Sequence, residues 1–190
     1  GDNKLARFYT KESTDPNKPQ LYISDEIEDY QALGTIDDAM VVGGTDADTN
    51  YGTDTGIQVK AGSTNNSFVK KGLLKFDLNQ IDVNKVSTVG TARLKLYFVS
   101  SNNSTPDVDL SILPVENTWD EETVTWNLYP TIIDTNPLRT TNVLPTELNK
   151  YYEWDISAYV IAKLAEVGDD GILSLTVLDL AGDNNGLTFN

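Results

Sequence analysis

Short segments in which apolar and polar residues alternate dominate this sequence of 190 residues. In residues 93–99 two leucines and a phenylalanine fall on one face of an extended chain, while an arginine, a lysine and a tyrosine fall on the other. Similar segments lie at residues 57–61, 74–78, 108–115, 124–126, 151–156 and 172–178. Eight or more short strands separated by Gly, Asn, Asp and Pro predict an all-β protein, a two-sheet jelly-roll β-sandwich.

One short helix is also predicted, at residues 158–167. Ser157 can cap its first amides and Gly168 can end its last turn, and we expect it to cover one mouth of the sandwich. Two strand candidates, residues 5–10 and 20–24, precede an acidic connector. The sequence is therefore divided into a strand segment with its connector, residues 1–30, and a jelly-roll domain, residues 31–190.

The sequence contains no cysteine and no histidine. This composition excludes disulfides, metal sites built on thiolate or imidazole, and Ser-His-Asp or Cys-His catalysis. The acidic residues 120–122 are adjacent on a predicted turn, so they cannot face one another across a cleft as a glycosidase pair does. We therefore predict a protein that is not an enzyme and has no catalytic residues.

Charge and composition restrict the partners. The sequence has 14 Lys and Arg against 29 Asp and Glu, a net charge of −15, which opposes attraction to nucleic acid and to anionic lipid. No apolar stretch approaches the length of a membrane span. We expect no nucleic-acid partner and no membrane insertion. The absence of cysteine and the Asn-x-Ser/Thr sites at Asn65, Asn102 and Asn103 predict a secreted, extracellular protein of the cell surface.

One run carries a family resemblance. Residues 118–127 read Thr-Trp-Asp-Glu-Glu-Thr-Val-Thr-Trp-Asn and are closed by Pro130. This run resembles the signature of DNRLRE domains, which include carbohydrate-binding module family 96. Other stretches resemble the strands of that family in order, namely residues 38–41, 47–52, 74–78, 92–97 and 152–157. The resemblance spans about residues 36–190 and implies a sandwich whose tryptophans lie in a structural turn and in the core. It also implies an affinity for acidic glycans such as alginate.

The two ends of the sequence share a short motif, Gly-Asp-Asn with Phe five residues after the Asn. It occurs at residues 1–3 with Phe8 and at residues 182–184 with Phe189. In the resembled family such a motif precedes the last strands of the domain, whereas in this sequence the matching strands lie at the N-terminal end. A sandwich without its last strands exposes a groove and an unpaired sheet edge. We call residues 1–24 the leader. Three arrangements satisfy this pattern: a covalent tandem array, separate subunits that exchange the leader, and a permuted monomer whose leader folds back on its own body.

The predicted function is a structural subunit of a cell-surface or matrix fibre or tandem array. Its partners would be copies of itself, joined head to tail by strand donation. The donated residues are predicted to be Leu5, Phe8, Leu21 and Ile23.

The alternative function is a polysaccharide-binding module of a larger secreted carbohydrate-active enzyme. If the strands through Lys75 and Arg93 are neighbours, alternation places a basic strip on one outer face. Basic groups would bind the carboxylates of an acidic glycan, and a tyrosine would lie against a sugar ring. The strip consists of Lys60, Lys71, Lys75, Arg93, Lys95 and Tyr97. A sheet face kept soluble by lysine explains the same pattern.

A calcium site is the one cofactor that the sequence suggests. Residues 45–54 bring carboxylate and amide oxygens close together, and these are hard ligands that Ca²⁺ prefers. The predicted ligands are Asp38, Asp46, Asp48, Asn50 and Asp54. A turn in which Asp and Asn accept local backbone hydrogen bonds explains the same residues without an ion.

Overall fold

The computed structural model describes residues 5–25, 30–61, 69–82, 84, 88–101, 107–166 and 168–180. Within these ranges two antiparallel sheets pack face to face, which confirms the predicted all-β sandwich with one helix. In chain order the strands are β1 (Ala6–Tyr9), β2 (Gln20–Ser24), β3 (Tyr30–Gly34), β4 (Asp37–Val42), β5 (Gly56–Val59), β6 (Lys70–Asp77), β7 (Thr91–Ser101), β8 (Val108–Pro114), β9 (Arg139–Val143), β10 (Lys150–Asp155) and β11 (Ile172–Asp179). The helix α1 (Ser157–Leu164) lies between β10 and β11.

The long strand β7 organises the first sheet. β10 pairs along one edge of β7, and β2 and β1 pair one after the other along the opposite edge. β3 then pairs with β2, and β5 pairs with β1. The second sheet has the order β4-β6-β11-β8-β9.

The core lies between the two sheets and is built from the inward positions of the alternating strands. The first sheet contributes Phe8, Leu96 and Trp154, and the second contributes Phe76 and Leu175, all fully buried. The alternation predicted for residues 93–99 is confirmed, because its leucines and phenylalanine are buried and its polar residues face outward. A second, smaller apolar cluster lies on the outer face of the second sheet, under residues 116–132, which we call the tryptophan loop.

The leading strands close the chain's own sandwich. Phe8 pairs with Phe98, and Leu21 pairs with Leu94, both on β7. Leu5, Phe8, Leu21 and Ile23 are all buried within this body. The structure therefore corresponds to the permuted monomer whose leader folds back.

Strand donation to a second copy, and the fibre or array built on it, are not supported, because the groove that would receive a neighbour's strands is already filled. β1 and β2 share a sheet and a core with strands of the predicted domain 31–190. The repeated motif at residues 1–3 and 182–184, Phe189, and the three sites at Asn65, Asn102 and Asn103 lie outside the described residues.

Several local predictions need correction. Residues 124–126, predicted as a strand, lie in the tryptophan loop, and the helix ends at Leu164, so Gly168 does not end its last turn. Residues 30–34, taken partly as connector, form β3, which pairs with β2 over its whole length. The helix begins at Ser157 itself, so Ser157 does not cap it; instead the Ser157 hydroxyl and amide both donate to Asp155 Oδ1, at 2.5 and 3.1 Å. α1 buries Val160 in the core and packs against β7. No helix among the described residues has the length and apolar character needed to cross a membrane.

Candidate functional site

Five tyrosines lie on the outer face of the first sheet. They occupy strand positions that alternate with core residues such as Phe8 and Leu21, so the pleat turns their rings away from the core. One of them is 59% exposed and the others are partly buried. We call this surface the tyrosine face; it comprises Tyr9, Tyr22, Tyr30, Tyr97 and Tyr151.

Three of these rings form one contiguous group. The ring of Tyr9 stacks on that of Tyr97, with centroids 5.9 Å apart and planes inclined by 7°. Tyr151 pairs with Tyr97 across β10 and β7 and meets it edge to face, at 5.1 Å and 75°. Because each ring is held by another, this part of the surface is largely rigid.

The other two rings form a second group. Tyr22 and Tyr30 stack with centroids 5.0 Å apart and planes inclined by 18°. The Lys95 ammonium lies 4.2 Å from the centroid of Tyr22. Tyr22 is next to Arg93 on β7, four residues before Tyr97, so the backbone positions of the two groups are offset along β7 by about 13 Å at a rise of about 3.3 Å per residue.

Charged side chains lie beside the second group and between it and the first: Arg93 is next to Tyr22, and Lys95 follows it on β7 before Tyr97. Lys95 Nζ lies 2.9 Å from Glu153 Oε1, and Arg93 Nη1 lies 3.5 Å from Glu153 Oε2. The Arg93 side chain is 52% exposed. Exposed ion pairs of this kind contribute at most about 1 kcal/mol, so the carboxylate of a ligand can replace Glu153 as the partner of these cations.

The hydroxyls of Tyr9, Tyr22 and Tyr151 keep their protons at neutral pH. Partial desolvation raises the pKa of Tyr9, and the neighbouring Asp15 raises it further. Desolvation, then the hydrogen bond with Tyr30, raises the pKa of Tyr22. Desolvation, and after it the charge interaction with Tyr97, raises the pKa of Tyr151. Neutral phenols both donate and accept hydrogen bonds, which suits recognition of sugar hydroxyls.

The predicted basic strip is divided between the two sheets. β6 pairs with β4 and β11, not with β7, so the condition that placed Lys75 beside Arg93 is not met. Lys71 and Lys75 lie on the outer face of the second sheet, buried under the tryptophan loop. Of the six predicted residues only Arg93, Lys95 and Tyr97 belong to the tyrosine face; Lys60 forms a bridge with Lys70 at the edge of β6.

Lys75 has a structural role. Its ammonium donates to Asp37 Oδ2 at 2.7 Å and to the Trp119 carbonyl at 2.6 Å, and it lies 4.4 Å from the Trp119 ring centroid. The Lys71 ammonium lies 4.8 Å from the ring of Trp126. These two lysines attach the tryptophan loop to the second sheet.

The tryptophans serve mainly in packing, as predicted from the resemblance. Trp154 is fully buried and donates to the Leu110 carbonyl at 2.9 Å; Trp119 is 5% exposed and donates to Ser174 Oγ at 3.2 Å. Trp126 is partly buried against the outer cluster. An open cavity of about 360 Å³ lies beside Trp119 and Tyr129. Lys75 covers the Trp119 ring, so the tyrosine face is the better candidate for a binding surface.

The predicted calcium loop, residues 45–54, binds the tryptophan loop through hydrogen bonds, and we call it the clamp loop. The Asn50 amide donates to the carbonyls of Glu121 and Val124, both at 2.8 Å, and Asp48 Oδ1 accepts from Asn127 at 2.7 Å. The loop therefore holds the tryptophan loop through hydrogen bonds. The structure does not bring Asp38, Asp46, Asp48, Asn50 and Asp54 together around one point. Among the described residues the acidic group that lies close enough to hold an ion consists of Glu12, Asp38 and Glu121.

Sequence reasoning missed four of the five tyrosines. Alternation in residues 6–9 and 20–24 would place Tyr9 and Tyr22 outward, but their value as a surface depends on the pairing of the leader with β7. That pairing joins segments far apart in the sequence, and no local pattern reports it.

The comparison with protein families gives one match. The model of carbohydrate-binding module family 96 matches residues 29–190, a range that includes all strands from β3 onward. No curated protein matches the chain.

Proposed function

Because the chain belongs to carbohydrate-binding module family 96, we propose that it binds polysaccharide through the tyrosine face. Modules of this kind are typically non-catalytic, and we assign the protein a binding role without a reaction of its own. The observation that supports this proposal is the pair of stacked tyrosine groups with an exposed arginine and a lysine beside them.

Tyrosine suits this role physically. A phenol ring offers a flat apolar surface to the C–H face of a sugar and a hydroxyl to its polar edge. Since Tyr9, Tyr97 and Tyr151 already pack on one another, little side-chain entropy is lost when a ligand covers them. Two ring groups whose backbone positions are offset by four residues along β7 fit an extended oligosaccharide better than a single sugar.

The proposed ligand is an acidic polysaccharide such as alginate. The Arg93 guanidinium is exposed and can bind a uronate carboxylate with two parallel hydrogen bonds. Lys95 adds a second cation beside the ring of Tyr22. Glu153 competes for both cations, and the net charge of −15 opposes a polyanion, so ring stacking supplies most of the affinity.

Such a ligand is found outside the cell. The proposed context is therefore a secreted, extracellular protein in which this chain serves as the binding module of a larger carbohydrate-active enzyme.

Calorimetric titration with alginate oligosaccharides tests the proposal. Replacing Tyr97, the ring shared by two aromatic contacts, with alanine should weaken binding by about tenfold, because it removes one ring from the proposed sugar platform and leaves Tyr9 and Tyr151 without the ring that holds them. Tyr51→Ala removes a tyrosine from the loop of residues 45–54 and serves as the matched control. Equal affinities for the wild type, Tyr97→Ala and Tyr22→Ala would reject the tyrosine face.

A charge series tests the acidic ligand separately. Arg93→Gln should weaken binding of alginate while leaving any binding of a neutral glucan unchanged. Glu153→Gln should strengthen alginate binding, because it frees both cations. If neither substitution alters the preference between the two glycans, the ligand is not selected by its carboxylates.

A further inference from the structure

Three acidic side chains from distant parts of the chain meet at one point. Glu12 lies in the loop after β1, Asp38 in β4 and Glu121 in the tryptophan loop, and each offers a carboxylate oxygen within 4.8 Å of the others. None of them belongs to the tyrosine face. We call this group the acidic cluster.

Most of the oxygens of the acidic cluster have partners. Asp38 Oδ2 accepts from the Lys11 amide at 2.9 Å and from Thr35 Oγ1 at 2.7 Å. Glu121 Oε1 accepts from the Asp38 amide at 3.1 Å. The Lys11 ammonium forms ion pairs with Glu12 Oε1, at 2.6 Å, and with Glu121 Oε2.

Two oxygens remain. Asp38 Oδ1 and Glu12 Oε2 are buried, and neither has a hydrogen-bond partner among the described residues. Asp38 as a whole is 0% exposed. A buried carboxylate oxygen without a partner carries a desolvation cost of about 1–3 kcal/mol or more, so native proteins rarely leave one.

The charges of the acidic cluster do not balance. Among the described residues, the ammonium that pairs with the carboxylates of this cluster is that of Lys11, while the Lys18 ammonium donates to the Lys11 carbonyl at 2.6 Å. Burial, together with the charges of Glu12 and Glu121, raises the pKa of Asp38 to about 7, against the lowering effect of its hydrogen bonds. A further positive charge would relieve both the repulsion and the unpaired oxygens.

We propose that Glu12, Asp38 and Glu121 form a Ca²⁺ site, in which Asp38 Oδ1 and Glu12 Oε2 are ligands. Carboxylate oxygens are hard ligands, which favours Ca²⁺ or Mg²⁺ over softer metals. Ca²⁺ is favoured between the two because it accepts irregular geometry, whereas Mg²⁺ needs a near-ideal octahedron and retains several waters. Lys11 is a built-in competitor, since its ammonium uses two of the same carboxylates and its side chain is 28% exposed.

A cation at this point would join three segments of the fold. Glu12 belongs to the leader, Asp38 to an edge strand of the second sheet, and Glu121 to the tryptophan loop. Binding would therefore stabilise the attachment of the leader to the body, and Ca²⁺ should raise the unfolding temperature and slow proteolysis of the loop that follows β1.

The test is a titration of the EDTA-treated full chain with CaCl₂ and with MgCl₂, followed by calorimetry and thermal unfolding. We expect Ca²⁺ to bind and to raise the unfolding temperature. Asp38→Asn and Glu12→Gln should each weaken Ca²⁺ binding by at least about tenfold, and Lys11→Met should strengthen it. Asp48→Asn, a carboxylate of the clamp loop, is the matched control and should bind as the wild type does.

Absence of Ca²⁺ binding by the wild type would overturn the site, as would equal weakening by Asp48→Asn. An equal response to Mg²⁺ would overturn the choice of calcium. Glu12→Gln keeps the test decisive if Asp38→Asn does not fold, because Glu12 lies in a surface loop and is only partly buried.

Discussion

Replacing Phe8 with alanine tests whether the leader completes its own sandwich. The Phe8 side chain is fully buried, with its ring centroid 5.6 Å from that of Phe98 and 6.3 Å from that of Trp154. Truncating a buried phenylalanine costs about 3–5 kcal/mol, a range that includes the cavity left behind. Since the whole domain is expected to be stable by about 5–15 kcal/mol, this single change should remove a large fraction of that stability.

Urea unfolding followed by tryptophan fluorescence measures this loss. Tyr9→Ala is the control from the same strand, because Tyr9 points outward and its removal leaves no cavity in the core. We expect a loss of about 3–5 kcal/mol for Phe8→Ala, about 1 kcal/mol for Tyr9→Ala, and midpoints that do not depend on protein concentration. A loss below 1 kcal/mol for Phe8→Ala, or stability that rises with protein concentration, would mean that the leader packs elsewhere or in another molecule.

Three further predictions test the packing of the clamp loop, the role of Lys75 and the raised pKa of Asp38. Gly52→Ala should cost about 1–3 kcal/mol, because an added Cβ would lie 2.0 Å from the Glu121 carbonyl oxygen, while Gly34→Ala, with nothing within 4 Å, should be neutral in the same unfolding assay. Lys75→Met should cost about 2–3 kcal/mol in urea unfolding because it leaves the Trp119 carbonyl unpaired, and a neutral result would show that the tryptophan loop is held without it. In EDTA, raising the pH from 3.8, the pKa of Asp38 in the unfolded chain, to about 7, its pKa in the folded protein, should lower the stability of the wild type relative to Asp38→Asn. The reason is that the folded state binds the proton of Asp38 more tightly than the unfolded state over this pH range. A difference in stability that stays constant over this range would contradict the raised pKa.

The faces of the strands could be predicted from the sequence, but their neighbours could not. Alternation fixes which side of an extended chain a residue takes, and it correctly separated Leu96 from Lys95. It carries no information on pairing: the predicted strip placed Lys75 beside Arg93 only if their strands were neighbours, and β6 and β7 belong to different sheets. β3 could not be predicted because Leu33 is its one buried residue, so it lacks the alternation that marks the other strands, and it forms by pairing with β2.

The sequence also leaves open whether the leader folds back on its own body or is exchanged with a second copy. Strand exchange and folding back use the same apolar residues, Leu21 and Phe8 among them, so composition cannot distinguish them. The acidic residues show a similar limit. Asn50 lies in a loop rich in oxygen ligands, yet its amide donates to two carbonyls; Glu12 and Glu121 meet only because the fold joins them.

The most direct test of polysaccharide binding at the tyrosine face is a map of amide chemical shifts during titration with alginate oligosaccharides. The account predicts saturable shifts concentrated on the outer positions of β1, β2, β7 and β10, including Tyr9, Tyr22, Tyr97 and Tyr151. Shifts confined to the cavity beside Trp119, or no shifts with any polysaccharide offered, would contradict it.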